Sequence, residues 1–353
     1  MAFGILLHAV IGLLPVAGLL TALVVLDGYK LVTMRVLLLV AGAGVAVAVV
    51  AYFVNGALLT ATGLEFTAYS RYVGPLVEEA GKALIVVALL RMHRIGFLVD
   101  GAILGFAVGT GFAIVENVWY QVLVPDAGIA TWIVRGFGTA LMHGGTTAIF
   151  AMMAVTMLER APEAKLAGLV PGFAVAVLLH AGFNHLLGWP RLSTLVVLGV
   201  LPPLIWLVFQ RSDRAVADWL GHGFDADAGL IESIGSGRFP DSHAGRYLAA
   251  LRERFQGEVV ADLLCYLRVH TELALRAKGI LMMRENGFEV AVDSDMKAQF
   301  AELDYLAKSI GRTGLLALHP LIARDHRAMW QLNRLAGETA AAPASAAVPP
   351  RAP

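Results

Sequence analysis

Glu78 and Glu79 stand side by side in an apolar stretch long enough to cross a bilayer, and Lys82 follows about one helical turn later. On a helix Lys82 is i+4 from Glu78 and i+3 from Glu79, so its ammonium can neutralise one carboxylate on its own face. The other carboxylate is then left for proton transfer. This suits hydrolysis, with Glu78 as the base that activates a water and Glu79 as the next choice. Further polar residues sit in three other apolar stretches: Glu116 and Asn117, His143, and His180 with Asn184. His180 would share the proton or hold the water. Asn184, one turn beyond it, would donate to a tetrahedral oxyanion, an interaction of about 3–4 kcal/mol when well placed. Lys82, Glu116, Asn117 and His143 would orient these groups or bind the substrate backbone. An ionisable group at membrane depth costs at least ~2.5–3.5 kcal/mol, so a cluster of them points to function before structure.

Metal chemistry is the competing use of the same residues. There is no His-Glu-x-x-His string. A two-histidine, one-glutamate set from His143, His180 and Glu116 would suit zinc. The reading preferred from the sequence is a cofactor-free glutamate mechanism, with zinc as its alternative. From a different class, the cluster would serve a non-catalytic scaffold or a proton- or ion-coupled transporter. Against transport, the spans show no inverted repeat and the polar layer lies off-centre.

The elements that must carry these residues follow from composition. The chain has 353 residues, 58% hydrophobic and 15% charged, where a soluble domain carries about 25% charged residues. The deficit lies in the first 210 residues, which read as seven spans near 4–26, 32–54, 72–90, 97–121, 130–157, 167–187 and 192–210. The fold class expected is therefore all-α: a polytopic membrane bundle of about seven helices, then a soluble cytoplasmic helical domain. Leu58 to Tyr69 is too short to cross and is expected at the interface. Gly105, Gly109 and Gly111 would let helices approach closely, since lipid gives apolar faces no drive to pack. Pro75 falls in the first turn of its helix, where a missing N–H costs little.

Lys30, Arg35, Arg91, Arg94, Arg160, Lys165, Arg211 and Arg214 fall on one side of such a bundle, and Arg71, Arg135 and Arg191 on the other. That bias places the N-terminus outside and the C-terminal region in the cytoplasm of a multi-pass cell-membrane protein. At 1.5 Å per residue, Glu78, Glu79 and His180 lie about 10 Å below the outer surface, with Glu116 near that level and His143 somewhat deeper. The first stretch has no Lys or Arg before it and is expected to be a retained helix rather than a cleaved signal. The single cysteine, Cys265, excludes an internal disulfide. With zero formal net charge there is no global signal for nucleic acid.

The polar residues occur in four strings: VEEAGKAL (77–84), GFAIVENVWY (111–120), LMHGGTTAIF (141–150) and LLHAGFNHL (178–186). Together, in this order, they resemble the PrsW family of intramembrane proteases, relatives of the CAAX prenyl proteases and bacteriocin-immunity proteins. The resemblance covers about residues 70–190. It implies a glutamic-type endopeptidase that cuts membrane-anchored proteins within the lipid bilayer, in the manner of a first cut in an anti-sigma factor. The family's glutamate pair falls on Glu78 and Glu79, its late histidine on His180, and the amide of the wider superfamily's His-x-x-x-Asn motif on Asn184. One string departs: Phe112 is followed by Glu116 where many CAAX-type members have histidine. Ordinary membrane proteins are then better substrates than prenylated ones.

After Gln210 the composition becomes that of a soluble domain. Segments near 241–255, 257–286, 294–311 and 314–336 have apolar residues at helical spacing, including Leu263, Leu264, Leu267 and Leu275. Asp293 and Ser294 are candidate caps. The expected boundaries are 1–210, 211–338 for an all-α cytoplasmic domain, and 339–353 for a disordered Ala/Pro-rich tail. No catalytic constellation occurs in the second region. Its mixed charges read as a solvated face in preference to a nucleic-acid site, and the domain would bind a cytoplasmic partner, pair with a second copy or regulate the protease. His8, His93 and His185 are read as incidental or interfacial, and Cys265 as a core residue.

Overall fold

The computed structural model describes residues 2–29, 31–160, 167–288, 294–322, 327, 330–332 and 334–336. Expectations for Lys30, Lys165, Asp293 and the 339–353 tail lie outside these residues. Every regular element described is helical.

The order is α1 (Ala2–Leu26), α2 (Met34–Thr62), α3 (Phe66–Tyr72), α4 (Gly74–Arg91), α5 (Leu98–Leu123), α6 (Ile129–Val134), a π-helical turn (Arg135–Ala140), α7 (Leu141–Arg160), α8 (Val170–His185) and α9 (Pro190–Gly235). Then come α10 (His243–Ala250), α11 (Gly257–Glu285) and α12 (Ser294–Ala317). Six of the helical stretches are long and apolar enough to cross a membrane: α1, α2, α5, α6 through α7, α8 and α9. The expected third span, α4, has 18 residues. It stands apart only because it carries Glu78, Glu79, Lys82 and Arg91. Its deepest charges point inward: Glu79 and Lys82 are buried, at 2% and 0% exposure.

Sequence sets the helix ends. Thr33 caps α2 by accepting from the Val36 N–H, and Gly63 ends it in the left-handed conformation at φ 62°. Pro75 enters α4 in its first turn. The 58–69 stretch, expected as one interfacial piece, divides between the end of α2 and the short α3. Glu65 caps α3. The backbone N–H of Thr67, helped by its hydroxyl, holds the Glu65 carboxyl below its ordinary value.

α5 is the central helix, buried from Val99 to Ala113 and packed against α1, α2, α4 and α7. Glycines make this possible. A Cβ on Gly109 would lie 2.1 Å from the His143 carbonyl oxygen, and one on Gly111 would lie 1.9 Å from that of Ala41. Both obstacles are backbone, which cannot rotate aside. Gly109→Ala is therefore expected to lose about 3 kcal/mol as α7 is pushed off α5. The check is the unfolding midpoint in detergent against wild type.

α9 runs for 46 residues through Pro202 and Pro203 and past Gln210. The expected change at residue 210 is thus a change of solvent-facing chemistry within one helix and not a loop. Pro202 and Pro203 each lack a backbone donor, and beyond them the helical hydrogen bonding continues whatever surrounds the side chains. The described residues form two compact units, divided between Arg214 and Ala215. In the second, Leu263, Leu267 and Leu273 of α11 pack with Leu306 and Ile310 of α12 and with Leu318. The segment expected as 294–311 runs on to Ala317 through a kink, where Gly311 takes φ 65°, and the helix expected over 314–336 gives way to turns at 318–322. Cys265, expected in this core, is exposed.

Candidate active site

α4 presents its acidic pair differently to the bundle. Glu79 Oε1 receives three donors: Lys82 Nζ at 2.5 Å, His180 Nδ1 at 2.8 Å and the Thr146 hydroxyl at 3.2 Å. Of the two carboxylates that Lys82 might have neutralised, it takes Glu79. Glu78, with its side chain 20% exposed against 2% for Glu79, stays open. Its Oε1 accepts from Asn55 Nδ2 at 3.3 Å, and Asn55 Oδ1 accepts from the Tyr69 hydroxyl at 2.9 Å. Its Oε2 faces His180 Nε2 at 3.8 Å.

The imidazole protons follow from these partners. A carboxylate only accepts, so His180 carries a proton on Nδ1, and in the neutral ring the lone pair of Nε2 faces Glu78 Oε2. His143 Nε2 meets Glu116 Oε2 at 2.5 Å, and its Nδ1 lies 3.2 Å from Lys82 Nζ. The ammonium only donates, so His143 is protonated on Nε2 and offers its lone pair at Nδ1. The two rings meet edge-on with centroids 4.9 Å apart. Phe112 packs on His143 at 4.9 Å, and its ring also lies 4.9 Å from Lys82 Nζ. The phenylalanine preceding the departure in the second string thus walls one side of the cluster.

Glu116, from α5, is shared. Arg135 Nη2 lies 3.2 Å from its Oε1. Arg135 Nε donates to Asn117 Oδ1 at 2.8 Å, and Asn117 Nδ2 donates to the Gly12 carbonyl of α1 at 2.8 Å. Both ends of the Asn117 amide therefore have protein partners, which makes it a tie between α1 and α5. Asn184 Nδ2 donates to the Ser70 carbonyl at 2.8 Å, tying α8 to α3. Expected as the oxyanion donor, this amide is an inter-helix strut in the fold. His185 is exposed, with Nδ1–H donating to the Ala181 carbonyl, and His8 stacks on Trp132 at 5.2 Å.

Sequence reading missed Asn55, Tyr69, Thr146 and the inward role of Arg135. Thr146 had a signal: it lies i+3 from His143 on the same face. Asn55 falls just past the expected span 32–54 and inside α2 only in the structure. Nothing local marks Tyr69 as its partner.

The donor set also bears on metal. One ligand atom each from Glu78, His143 and His180 lies within 4.8 Å of the others. The expected set had Glu116 in place of Glu78. Glu116 is instead the partner of His143 Nε2, as Glu79 is of His180 Nδ1. A carboxylate on the second nitrogen of each ligating histidine is the arrangement that orients ligands in zinc sites. These residues fit a divalent metal, with Lys82 as the resident cation it would displace from His143 Nδ1.

Residues 32–209, half of the chain, match the family model described as PrsW family intramembrane metalloprotease. The chain belongs to the PrsW protease family. The matched region holds α2 through the first part of α9 and every residue of the buried cluster except those on α1. No curated protein and no solved structure matches the chain. As a PrsW protease it is a membrane hydrolase that cuts peptide bonds, and the cluster on α4, α5, α7 and α8 is its candidate active site.

Proposed function

We propose that this PrsW protease is an endopeptidase that hydrolyses membrane-anchored proteins through a water activated by Glu78. The observation that carries this reading is the facing pair: Glu78 Oε2 and His180 Nε2 stand 3.8 Å apart, and with the ring neutral on Nδ1–H both are acceptors. Two acceptors at that separation are satisfied by a water donating one proton to each. Glu78 takes a proton as the water oxygen bonds to the scissile carbonyl carbon. The tetrahedral adduct then expels the amine as the C–N bond breaks, and Glu78 returns the proton to that nitrogen. Glu79, held by Lys82, His180 and Thr146, fixes the His180 ring and does not exchange the proton. Lys82 places positive charge beside the reacting carbonyl. Asn184 acts through α3 and not as the oxyanion donor.

The second reading rests on the same three ligand atoms and on the family description. Glu78, His143 and His180 would hold a divalent metal, which when bound polarises a carbonyl and acidifies water. Glu79 and Glu116 would then orient its histidines. The basic residues bordering the spans favour an N-terminus outside, a site in the outer half of the bilayer and a cytoplasmic region from about residue 211 to 338. A single-span anti-sigma factor, cut on its outer side, is the substrate type proposed. The cytoplasmic helices would receive a partner or a second copy.

The test is reconstitution of the full chain in nanodiscs with single-span proteins of different outer sequences, and mass spectrometry of the products. His180→Ala is expected to abolish product while the protein stays folded. Product formation unaffected by His180→Ala would overturn the site. Inhibition by a strong chelator, reversed by zinc, assigns Glu78 as a ligand. Full activity in chelator assigns it as the base.

A further inference from the structure

We propose that Arg135 is a positioning residue for the peptidase reaction, locking Glu116 and through it the tautomer and direction of the His143 ring. This inference rests on the protease reading above. A guanidinium 6% exposed in the apolar bundle is costly unless its charge is used. Arg135 makes three distinct contacts: Nη2 with Glu116 Oε1 at 3.2 Å, Nε with Asn117 Oδ1 at 2.8 Å, and its guanidinium carbon 3.6 Å from the centre of the Tyr120 ring. All three partners lie on one stretch of α5. The planar fork of arginine suits this arrangement, and the point charge of lysine does not.

The backbone supplies the reason Arg135 reaches. It opens a π-helical turn, Arg135–Ala140, within an otherwise continuous helix that leads to His143. In a regular helix, residues eight apart differ by about 80° around the axis. One residue accommodated by the wider π turn reduces the offset to about −20°, equivalent to seven α-helical steps. Arg135 and His143 then project from the same face. Each takes one oxygen of the same carboxylate: Arg135 beside Oε1, His143 Nε2 on Oε2. Gly136 permits the turn to sit against α1, where a Cβ would come 2.1 Å from the Ile11 carbonyl oxygen.

Glu116, hydrogen-bonded to His143 through one oxygen and ion-paired with Arg135 through the other, is held beside the ring. His143 therefore keeps its proton on Nε2 and its Nδ1 lone pair toward the cluster. Without Arg135, Glu116 is free to leave Nε2, and the ring loses the partner that selects this tautomer.

The test uses the full chain in nanodiscs, comparing wild type, Arg135→Gln, Arg135→Lys, Glu116→Gln and the Arg135→Gln/Glu116→Gln double variant. Two readouts are taken: cleavage kinetics, and nitrogen spectra of histidine-labelled protein, with the His143 signals assigned by their loss in His143→Gln. Arg135→Gln is expected to lower kcat by about 10- to 100-fold with KM within about twofold. Arg135→Lys should fall between, and the double variant should be no slower than Glu116→Gln alone. The His143 signals should show a single Nε2–H tautomer in wild type and a mixture in Arg135→Gln. If Arg135→Gln does not fold, Arg135→Lys carries the test by the same two readouts. Unchanged His143 signals and kcat in either folded variant, or losses that add in the double variant, would overturn the proposal. A rise in KM alone would place Arg135 on the substrate and also overturn it. The spectra keep the tests separate: a tautomer shift without wild-type cleavage sinks the protease reading and leaves the Arg135 contact standing.

Discussion

Glu78→Gln is expected to lower kcat for cleavage of a single-span substrate by about 10²- to 10⁴-fold, the range supplied by a positioned general base. The variant should remain folded. Glutamine has the same shape, and its carbonyl oxygen can still accept from Asn55 Nδ2, the contact that Glu78 Oε1 makes at 3.3 Å. What is lost is the anionic oxygen facing His180 Nε2. The unfolding midpoint is expected to shift by only a few degrees. Because Glu78 has one weak hydrogen bond while Glu79 has three partners, the two glutamines should behave differently. An activity within threefold of wild type for Glu78→Gln, with product still blocked by His180→Ala, would remove Glu78 from the water-activating role.

The second large effect is on stability. Glu79→Leu leaves the Lys82 ammonium, 0% exposed, with no carboxylate at 2.5 Å. Removing one partner of a buried pair costs about 3–5 kcal/mol, since the surviving charge stays desolvated. Replacing both with apolar groups of similar volume is often neutral, because both desolvation penalties vanish together. Glu79→Leu/Lys82→Met should therefore recover most of the midpoint lost in Glu79→Leu. It should remain inactive, because His180 Nδ1 and Thr146 have still lost the oxygen that orients them. A single variant no less stable than the double would show that the pair lies in a wetter place than its burial indicates. Recovery of activity in the double variant would remove Glu79 from the positioning of His180.

The spacing of Glu78, Glu79 and Lys82 was legible because helical geometry fixes which residues share a face before any fold exists. The spans were legible for the same kind of reason. Twenty apolar residues have few other environments, and their ends carry local signals such as Pro75 and Gly63. Partner choice was not legible. The sequence allowed Lys82 to neutralise either glutamate, and packing against α7 and α8 assigned it to Glu79 by delivering Thr146 and His180 to the same oxygen. Asn184 was expected among the reacting groups because it lies one turn from His180. The approach of α3 gave its amide the Ser70 carbonyl instead.

Arg135 is the sharpest case. Read along the chain it is a charge just inside a span, useful for orientation and nothing more. Its inward role depends on the π turn, which packs at Gly136 against Ile11 of α1, more than a hundred residues earlier in the chain. Composition and periodicity determined that this chain crosses the membrane as helices and brings carboxylates and imidazoles into the apolar layer, because those outcomes follow from nearest neighbours and from solvent. Which nitrogen faces which oxygen was decided only by tertiary packing, because hydrogen bonds a few ångströms long are set by helix contacts that no local pattern encodes.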